Sequence, residues 1–206
     1  MGGMFKFEVE VRSALSDALD YAPATATEGR RLFAGIDPGK SGYIAVVDMT
    51  ENPSLVWAEP MPVFDGAKGV NGYDLQEMWR LIQRLQPANI IGVVLEQQQP
   101  FPKQGGVSNF SLGYVYGMLR GLLVAAGVSH EVVHPTRWKR AMNIKGAGDD
   151  PVSRKADGKR KSVSAVQALI PKVDLRPTAR AKKPSVDKAE AILLAVYAGR
   201  NLAWNG

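Results

Sequence analysis

The chain has 206 residues, of which 45% are hydrophobic and 22% charged, a composition that suits one domain with a sizeable core and excludes a disordered chain. It contains no cysteine, which excludes disulfide bonds, thiolate metal sites and a cysteine nucleophile. No run approaches the length of about 18 apolar residues that a membrane-spanning helix needs, and acidic residues near the N-terminus argue against a targeting peptide. We therefore expect a protein of a reducing compartment with no membrane association.

The net charge of +6 is unevenly distributed along the chain. Residues 137–183 include 14 basic and four acidic side chains, whereas the remainder includes 12 basic and 16 acidic side chains. A basic segment on an acidic body is typical of proteins that bind a polyanion such as nucleic acid. A solubilising surface or a flexible tail is the alternative explanation of the same charges.

Residues 1–30 are predicted to form an appendage and a linker before the main domain. Apolar and polar residues alternate over 5–11, which predicts a short strand, and the spacing over 11–19 fits a short amphipathic helix. The stretch 22–29 has the composition of a linker. The globular domain is then expected to occupy residues 31–206.

The strands of this domain are predicted from apolar runs. Runs at 32–36, 43–48 and 55–59 are separated by short turns and predict an antiparallel meander. The run at 90–95 is too continuous for a half-exposed strand and predicts a central strand buried on both faces. A short strand is also expected at 131–133.

Helical periodicity and capping residues predict helices at 75–85, 110–126, 135–142, 161–169 and 185–197. Between two of them, residues 144–160 contain three glycines, one proline and no aromatic residue, so we predict a mobile basic loop there. A strand meander, then alternating helices and strands, and finally helices are typical of an α/β fold.

Four carboxylates occupy regular places in this layout. Asp37 follows the first strand and Glu96 ends the central strand, so adjacent parallel strands would hold them side by side. Asp187 and Glu190 are three residues apart on the last helix and share one face. Four clustered acids cannot all stay ionised unless cations join them, and oxygen ligands favour Mg²⁺ or Mn²⁺. Two such ions about 3.5–4 Å apart promote phosphodiester hydrolysis.

Each acid also has an ordinary explanation. An aspartate after a strand is often a turn former, as Asp37 would be, and an acid near a helix N-terminus is favoured by the helix dipole, as Asp187 would be. Glu96 is harder to explain in this way, because an unpaired carboxylate at the edge of a core is costly. Together with the basic segment, the four acids indicate a metal-dependent nuclease.

Three short motifs in order along the chain carry a family resemblance: Gly-Ile-Asp-Pro-Gly at 35–39, Leu-Glu-Gln at 95–97 and Asp-Lys-Ala-Glu-Ala at 187–191. Over roughly residues 31–200 the sequence resembles the RuvC-type Holliday junction resolvases of the RNase H-like superfamily. The resemblance implies an RNase H-like mixed sheet flanked by helices. It also implies a homodimer that resolves four-way DNA junctions by paired symmetric nicks, with two Mg²⁺ or Mn²⁺ ions per active site, in the cytoplasm of a bacterial or phage-infected cell.

The resemblance assigns roles to individual residues. Asp37, Glu96, Asp187 and Glu190 would bind the metal ions, although most relatives have aspartate at the last position. Lys139 and Lys161 fall where the family places catalytic basic residues near the scissile phosphate, with generic phosphate contact as the alternative. The residues expected to bind DNA are Phe101, Lys103, Arg137, Lys139, Arg140, Lys155, Lys159, Arg160 and Lys161. Phe101 would stack at the junction centre or simply anchor its loop.

Two further features are interpreted as packing. Trp138 is expected to anchor its helix in the core, with stacking on a base as the alternative. Gly113, Gly117 and Gly121 form a small-residue stripe on the helix 110–126, which the resemblance suggests as the subunit interface.

Three other functions stay open from the sequence. Another RNase H-like nuclease, acting on branched DNA or an RNA–DNA hybrid, would have the same acids. The segment 35–40 followed by a hairpin also suits the first phosphate loop of an actin- or hexokinase-like ATP-binding domain, although no second such loop is found. A catalytically inactive DNA-binding module would keep the basic segment and fail to bind metal.

Overall fold

A computed structural model describes residues 29–64, 72–86, 90–100 and 105–203. The predicted strand and helix within residues 1–28 lie outside these ranges, as do Phe101 and Lys103. In the described part of the chain, no helix is long and apolar enough to cross a membrane.

Five strands form one mixed sheet with the order β3-β2-β1-β4-β5. The strands are β1 (Leu32–Asp37), β2 (Tyr43–Asp48), β3 (Ser54–Pro60), β4 (Ile90–Glu96) and β5 (His130–Val133). The first three pair antiparallel as the predicted meander, and β4 lies parallel to both β1 and β5. The predicted α/β class and mixed sheet are therefore confirmed.

Helices cover both faces of the sheet. They are α1 (Leu75–Gln83), α2 (Gly106–Ala125), α3 (Pro135–Ala141), α4 (Pro151–Leu169) and α5 (Val186–Asn201). Alternate residues of β1 face opposite sides, so that Phe33 packs in one hydrophobic cluster with α3, α4 and α5, and Ile36 packs in another with α1 and α2. Every residue of β1 is buried, as expected for a strand covered on both faces.

The last helix lies directly against the first strand because Gly35 has no side chain. A Cβ atom at this position would come within 2.2 Å of the backbone oxygen of Ala191 on α5. This close contact places α5 across the central strand of the sheet and fixes the position of its first two turns. Those turns carry two of the four predicted acids, Asp187 and Glu190, and bring them near Asp37.

The predicted mobile loop at 144–160 is wrong for its second half, because α4 begins at Pro151 instead of near Lys161. Asp150 caps this helix through the backbone N–H groups of Val152 and Ser153, and a proline at the first helical position is favourable there. Gly158, interpreted as a loop residue, lies inside the helix where the 144–150 segment packs against it. The glycine and charge content of residues 151–160 favoured a loop, although these residues form part of a well-capped helix.

Candidate active site

The carboxyl ends of the parallel strands meet at one edge of the sheet, and two of the acids are there. Ile36 of β1 is paired with Leu95 of β4, so the residues that follow them, Asp37 and Glu96, are neighbours across the ladder. Both side chains are almost fully buried, with exposed fractions of 9% and 8%. The predicted juxtaposition of these acids is present.

The first two turns of α5 add the other two acids to the same edge. Ser185 caps the helix by accepting a hydrogen bond from the Lys188 N–H group at 3.1 Å, and Asp187 and Glu190 follow in the first turns. We call Asp37, Glu96, Asp187 and Glu190 the acidic cluster. Negative side chains in this position are favoured by the helix dipole as well.

A cavity of about 410 Å³ opens beside the cluster. Asp37, Asp187 and Glu190 line it, whereas Glu96 lies behind them in the core. Five basic side chains line the same cavity and are called here the basic lining: Lys139, Lys145, Arg154, Lys155 and Lys159. Carboxylates and cationic groups therefore share one opening, an arrangement suited to a ligand that carries phosphate together with a divalent cation.

Burial and mutual repulsion disturb the titration of the acidic cluster. Burial raises the pKa of Asp37 well above its ordinary value, and the carboxylates of Glu96, Glu190 and Asp187 raise it further. Burial also raises the pKa of Glu96, although Lys139 and a hydrogen bond from Trp138 oppose this effect. The cluster is thus short of positive charge in the protein alone.

Glu96 is held by a tryptophan from the neighbouring helix. The indole Nε1–H group of Trp138 donates to Oε1 of Glu96 at 2.9 Å, and the amide of Gln98 lies 3.4 Å from Oε2. Trp138 is completely buried, which confirms the prediction that it anchors α3 in the core. Because an indole N–H group only donates, it keeps one oxygen of Glu96 in a fixed direction.

Glu190 has two partners of different kinds. Its Oε2 atom accepts a hydrogen bond from the ammonium group of Lys139 at 2.7 Å, and its Oε1 atom lies 3.1 Å from the hydroxyl oxygen of Ser162. Burial lowers the pKa of Lys139, but the carboxylates of Glu190, Glu96 and Asp37 outweigh it and raise this pKa. Lys139 therefore stays charged and serves as the internal counterion of the cluster.

The chemistry of the donor set fits a hard divalent cation, since all four groups are carboxylates. Among the described residues none donates a hydrogen bond to the buried Asp37 side chain, so an added cation would stabilise its charge. The side chains do not converge, however: in the described ranges no group of three or more His, Asp or Glu residues could hold a metal ion. Glu190 is turned toward Lys139 instead, so binding would require a rearrangement of these side chains.

The predicted DNA-binding residues are divided between several places. Lys139, Lys155 and Lys159 belong to the basic lining. Lys161 does not line this cavity, because its ammonium group pairs with Asp157 at 2.8 Å and donates to the backbone oxygen of Lys145. Arg160 pairs with Asp157 at 2.6 Å. The remaining described members, Arg137 and Arg140, are exposed on α3 outside the cavity.

Sequence reasoning missed several residues of the site. Arg154 and Lys145 belong to the basic lining. Ser162 is a buried polar residue, as Asp37 and Glu96 are, in the part of the chain that the structure describes. Arg154 precedes Lys155 on the same helix, so a correct assignment of α4 would have indicated it. Nothing in the sequence marks Ser162, because its contact with Glu190 spans 28 residues.

The sequence matches no family model and no curated protein. Solved structures do match the fold. Thermus thermophilus RuvC in complex with a Holliday junction substrate aligns with a TM-score of 0.51 at 18% identity, covering 83% of this chain and 96% of that chain. A second Thermus thermophilus RuvC structure gives the same score and identity, with 82% and 95% covered. The chain has a RuvC-like fold. This finding confirms the mixed sheet flanked by helices that the three sequence motifs implied.

Proposed function

We propose that this protein is a divalent-metal-dependent endonuclease that resolves four-way DNA junctions by paired symmetric nicks. The observation that carries the proposal is the acidic cluster at one edge of the sheet in a RuvC-like fold, because three of its members line the same cavity as the basic lining. One neighbour of this fold was solved with a Holliday junction substrate, which supports branched DNA as the substrate class.

The acidic residues and the basic residues have different roles in the proposed reaction. Asp37, Glu96, Asp187 and Glu190 would bind Mg²⁺ or Mn²⁺, with two ions per active site, the number that promotes phosphodiester hydrolysis. When bound, such ions supply an activated water nucleophile and stabilise the leaving 3′ oxygen. The basic lining attracts and orients the phosphodiester, and Lys139 reaches both the cavity and the acids.

A homodimer supports paired nicking, because two symmetric cuts need two active sites related by a twofold axis. The exposed face of α2 is suited to such a contact. Gly113, Gly117 and Gly121 are exposed there, and Phe110 and Val124 extend the same stripe with exposed fractions of 69% and 70%. We therefore assign the dimer contact to this stripe as part of the proposal.

The same acids would serve a nuclease with a broader substrate range. A general branched-DNA nuclease or an RNA–DNA hybrid hydrolase differs from a resolvase in substrate geometry, which the acidic cluster does not determine. Competition between a four-way junction, a linear duplex and a hybrid duplex would distinguish these activities.

The experiment that tests the proposal removes single charges from the cluster. Asp37→Asn and Glu96→Gln should each reduce cleavage of a four-way junction at least about 1000-fold in Mg²⁺, since each removes a metal ligand. Junction affinity, measured by gel shift in Ca²⁺ or EDTA, should change less than about threefold, because the basic lining is intact. Glu131→Gln, a change on the neighbouring strand β5, is the matched control. Cleavage retained in Asp37→Asn would contradict the metal assignment.

A further inference from the structure

The two glutamates of the acidic cluster differ from Asp37 in their surroundings. Each glutamate has one carboxylate oxygen beside a completely buried donor from a separate helix, whereas the described residues donate no hydrogen bond to Asp37. A glutamate has one more rotatable bond than an aspartate and loses more conformational freedom when it is fixed. A buried donor therefore has more effect on a glutamate ligand than on an aspartate ligand.

The donor to Glu96 is set by the connection between β5 and α3. The helix begins at Pro135, with His134 as its N-cap between the strand and the helix, and its first turn directs Trp138 into the core. The indole nitrogen lies 2.9 Å from Oε1 of Glu96. This oxygen is thereby held inside the protein, and within the described ranges the hydrogen-bond partner of Oε2 is the Gln98 amide at the longer distance of 3.4 Å.

The donor to Glu190 comes from α4. The Ser162 hydroxyl oxygen is 3.1 Å from Oε1 of Glu190 and 3.0 Å from the backbone oxygen of Gly158. Its single hydrogen can be donated to one acceptor at a time, and donation to an ionised carboxylate is the stronger bond. The other oxygen, Oε2, is bonded to Lys139, so it is the one that would change partner when a cation enters.

We propose that Trp138 and Ser162 are positioning residues that hold the carboxylates of Glu96 and Glu190 for metal binding. The inference rests on the proposed function, since it concerns the same acidic cluster. Both residues act through the glutamates and touch neither DNA nor the ions. Outer partners of metal ligands typically contribute 10- to 100-fold in metal affinity, and the burial of both side chains makes them well suited to that role.

The test measures Mn²⁺ binding to the full chain without DNA, by isothermal titration calorimetry. Trp138→Phe keeps an aromatic ring and removes the N–H donor, and Ser162→Ala removes the hydroxyl. Each should weaken Mn²⁺ binding roughly 10- to 100-fold, and Ser162→Thr, which restores a hydroxyl, should recover most of the affinity. Two matched controls should bind Mn²⁺ as the wild type does: Trp57→Phe on β3 and Ser164→Ala on the exposed face of α4.

A second readout separates positioning from general destabilisation. The shift in melting temperature on adding Mn²⁺ is measured for each variant against its own metal-free protein, so a less stable variant remains informative. The proposal predicts a smaller Mn²⁺-induced shift for Trp138→Phe and Ser162→Ala than for their controls. Unchanged Mn²⁺ affinity and an unchanged shift in both variants would overturn it.

Failure of the proposed function gives a different result. Wild-type protein that binds no Mn²⁺, or an Asp37→Asn variant that binds it normally, would refute the metal site itself. Wild-type binding that Asp37→Asn abolishes, together with normal binding by Trp138→Phe and Ser162→Ala, would refute only the positioning role.

Discussion

At the scale of single residues, Asp37 has surroundings that are unfavourable for its negative charge. It is buried at the end of β1, near three other carboxylates, and receives no hydrogen bond from the described residues. Lys139 lowers the pKa of Asp37, but burial and the neighbouring carboxylates outweigh this effect, and a buried charge without a hydrogen bond costs stability. In the metal-free protein we therefore expect Asp37 to reduce the free energy of unfolding.

Asp37→Asn should accordingly stabilise the metal-free protein at neutral pH. The expected gain is about 1 kcal/mol or more in the free energy of unfolding, equivalent to roughly 2–4 °C in Tm for a chain of this size. Thermal melting in EDTA measures it. A variant that melts at or below the wild-type temperature at pH 8 would contradict this account of Asp37.

The difference in stability between the wild type and Asp37→Asn should depend on pH. Since burial raises the folded-state pKa of Asp37 above that of the unfolded chain, the folded protein holds its proton to higher pH. Wild-type stability should therefore fall, relative to Asp37→Asn, as the pH rises above about 4, the usual aspartate pKa. Below that pH both states are protonated and the two proteins should melt alike. A stability difference between the two proteins that stays constant from pH 3.5 to 8 would show that the titration of Asp37 does not cause it.

The positions of the four acids were predictable because each follows from its place at a strand end or on a helix face. Their hydrogen-bond partners were not. Trp138 reaches Glu96 across 42 residues and Ser162 reaches Glu190 across 28 residues. Such contacts depend on how helices pack on the sheet, which local periodicity does not encode. The pairing of Glu190 with Lys139 depends on the same packing.

At the scale of elements, α4 gives the clearest difference between prediction and structure. Its first ten residues, 151–160, have many charges and a glycine, so local composition favoured a loop. The Asp150 cap and the packing of the 144–150 segment against Gly158 stabilise the helix instead. As a result, the helix separates its basic residues: Lys155 and Lys159 line the cavity, whereas Arg160 and Lys161 pair with Asp157.

Two lysines of α4 should therefore differ in their contribution to DNA binding. Lys159 lines the cavity, whereas Lys161 is paired with Asp157 outside it. Lys159→Ala should weaken junction binding and reduce the salt dependence of log K by about one unit of slope, as expected when one phosphate contact is lost. Lys161→Ala should leave the slope nearly unchanged. Gel-shift titrations at several salt concentrations in EDTA measure both, and the reverse ranking would show that Lys161 contacts the DNA.

At the scale of the whole molecule, the proposed dimer contact on α2 can be tested without disturbing the protomer. A side chain at Gly117 meets no atom within 4 Å in one copy, so Gly117→Glu should leave the protomer folded. A glutamate in the stripe would separate two packed helices and should convert a dimer to a monomer in sedimentation equilibrium. Ala168→Glu, on the exposed surface of α4, is the control. A Gly117→Glu variant that stays dimeric would move the interface elsewhere.

If the acidic cluster and the basic lining together form a junction-resolving nuclease, the protein should cleave an immobile four-way junction. The junction and a linear duplex of equal length are incubated with the full chain in Mg²⁺ and in EDTA. We expect paired symmetric nicks in the junction alone, and no nicks in EDTA. Equal cleavage of the linear duplex would contradict the junction specificity, and tight junction binding without cleavage in Mg²⁺ would contradict the nuclease itself.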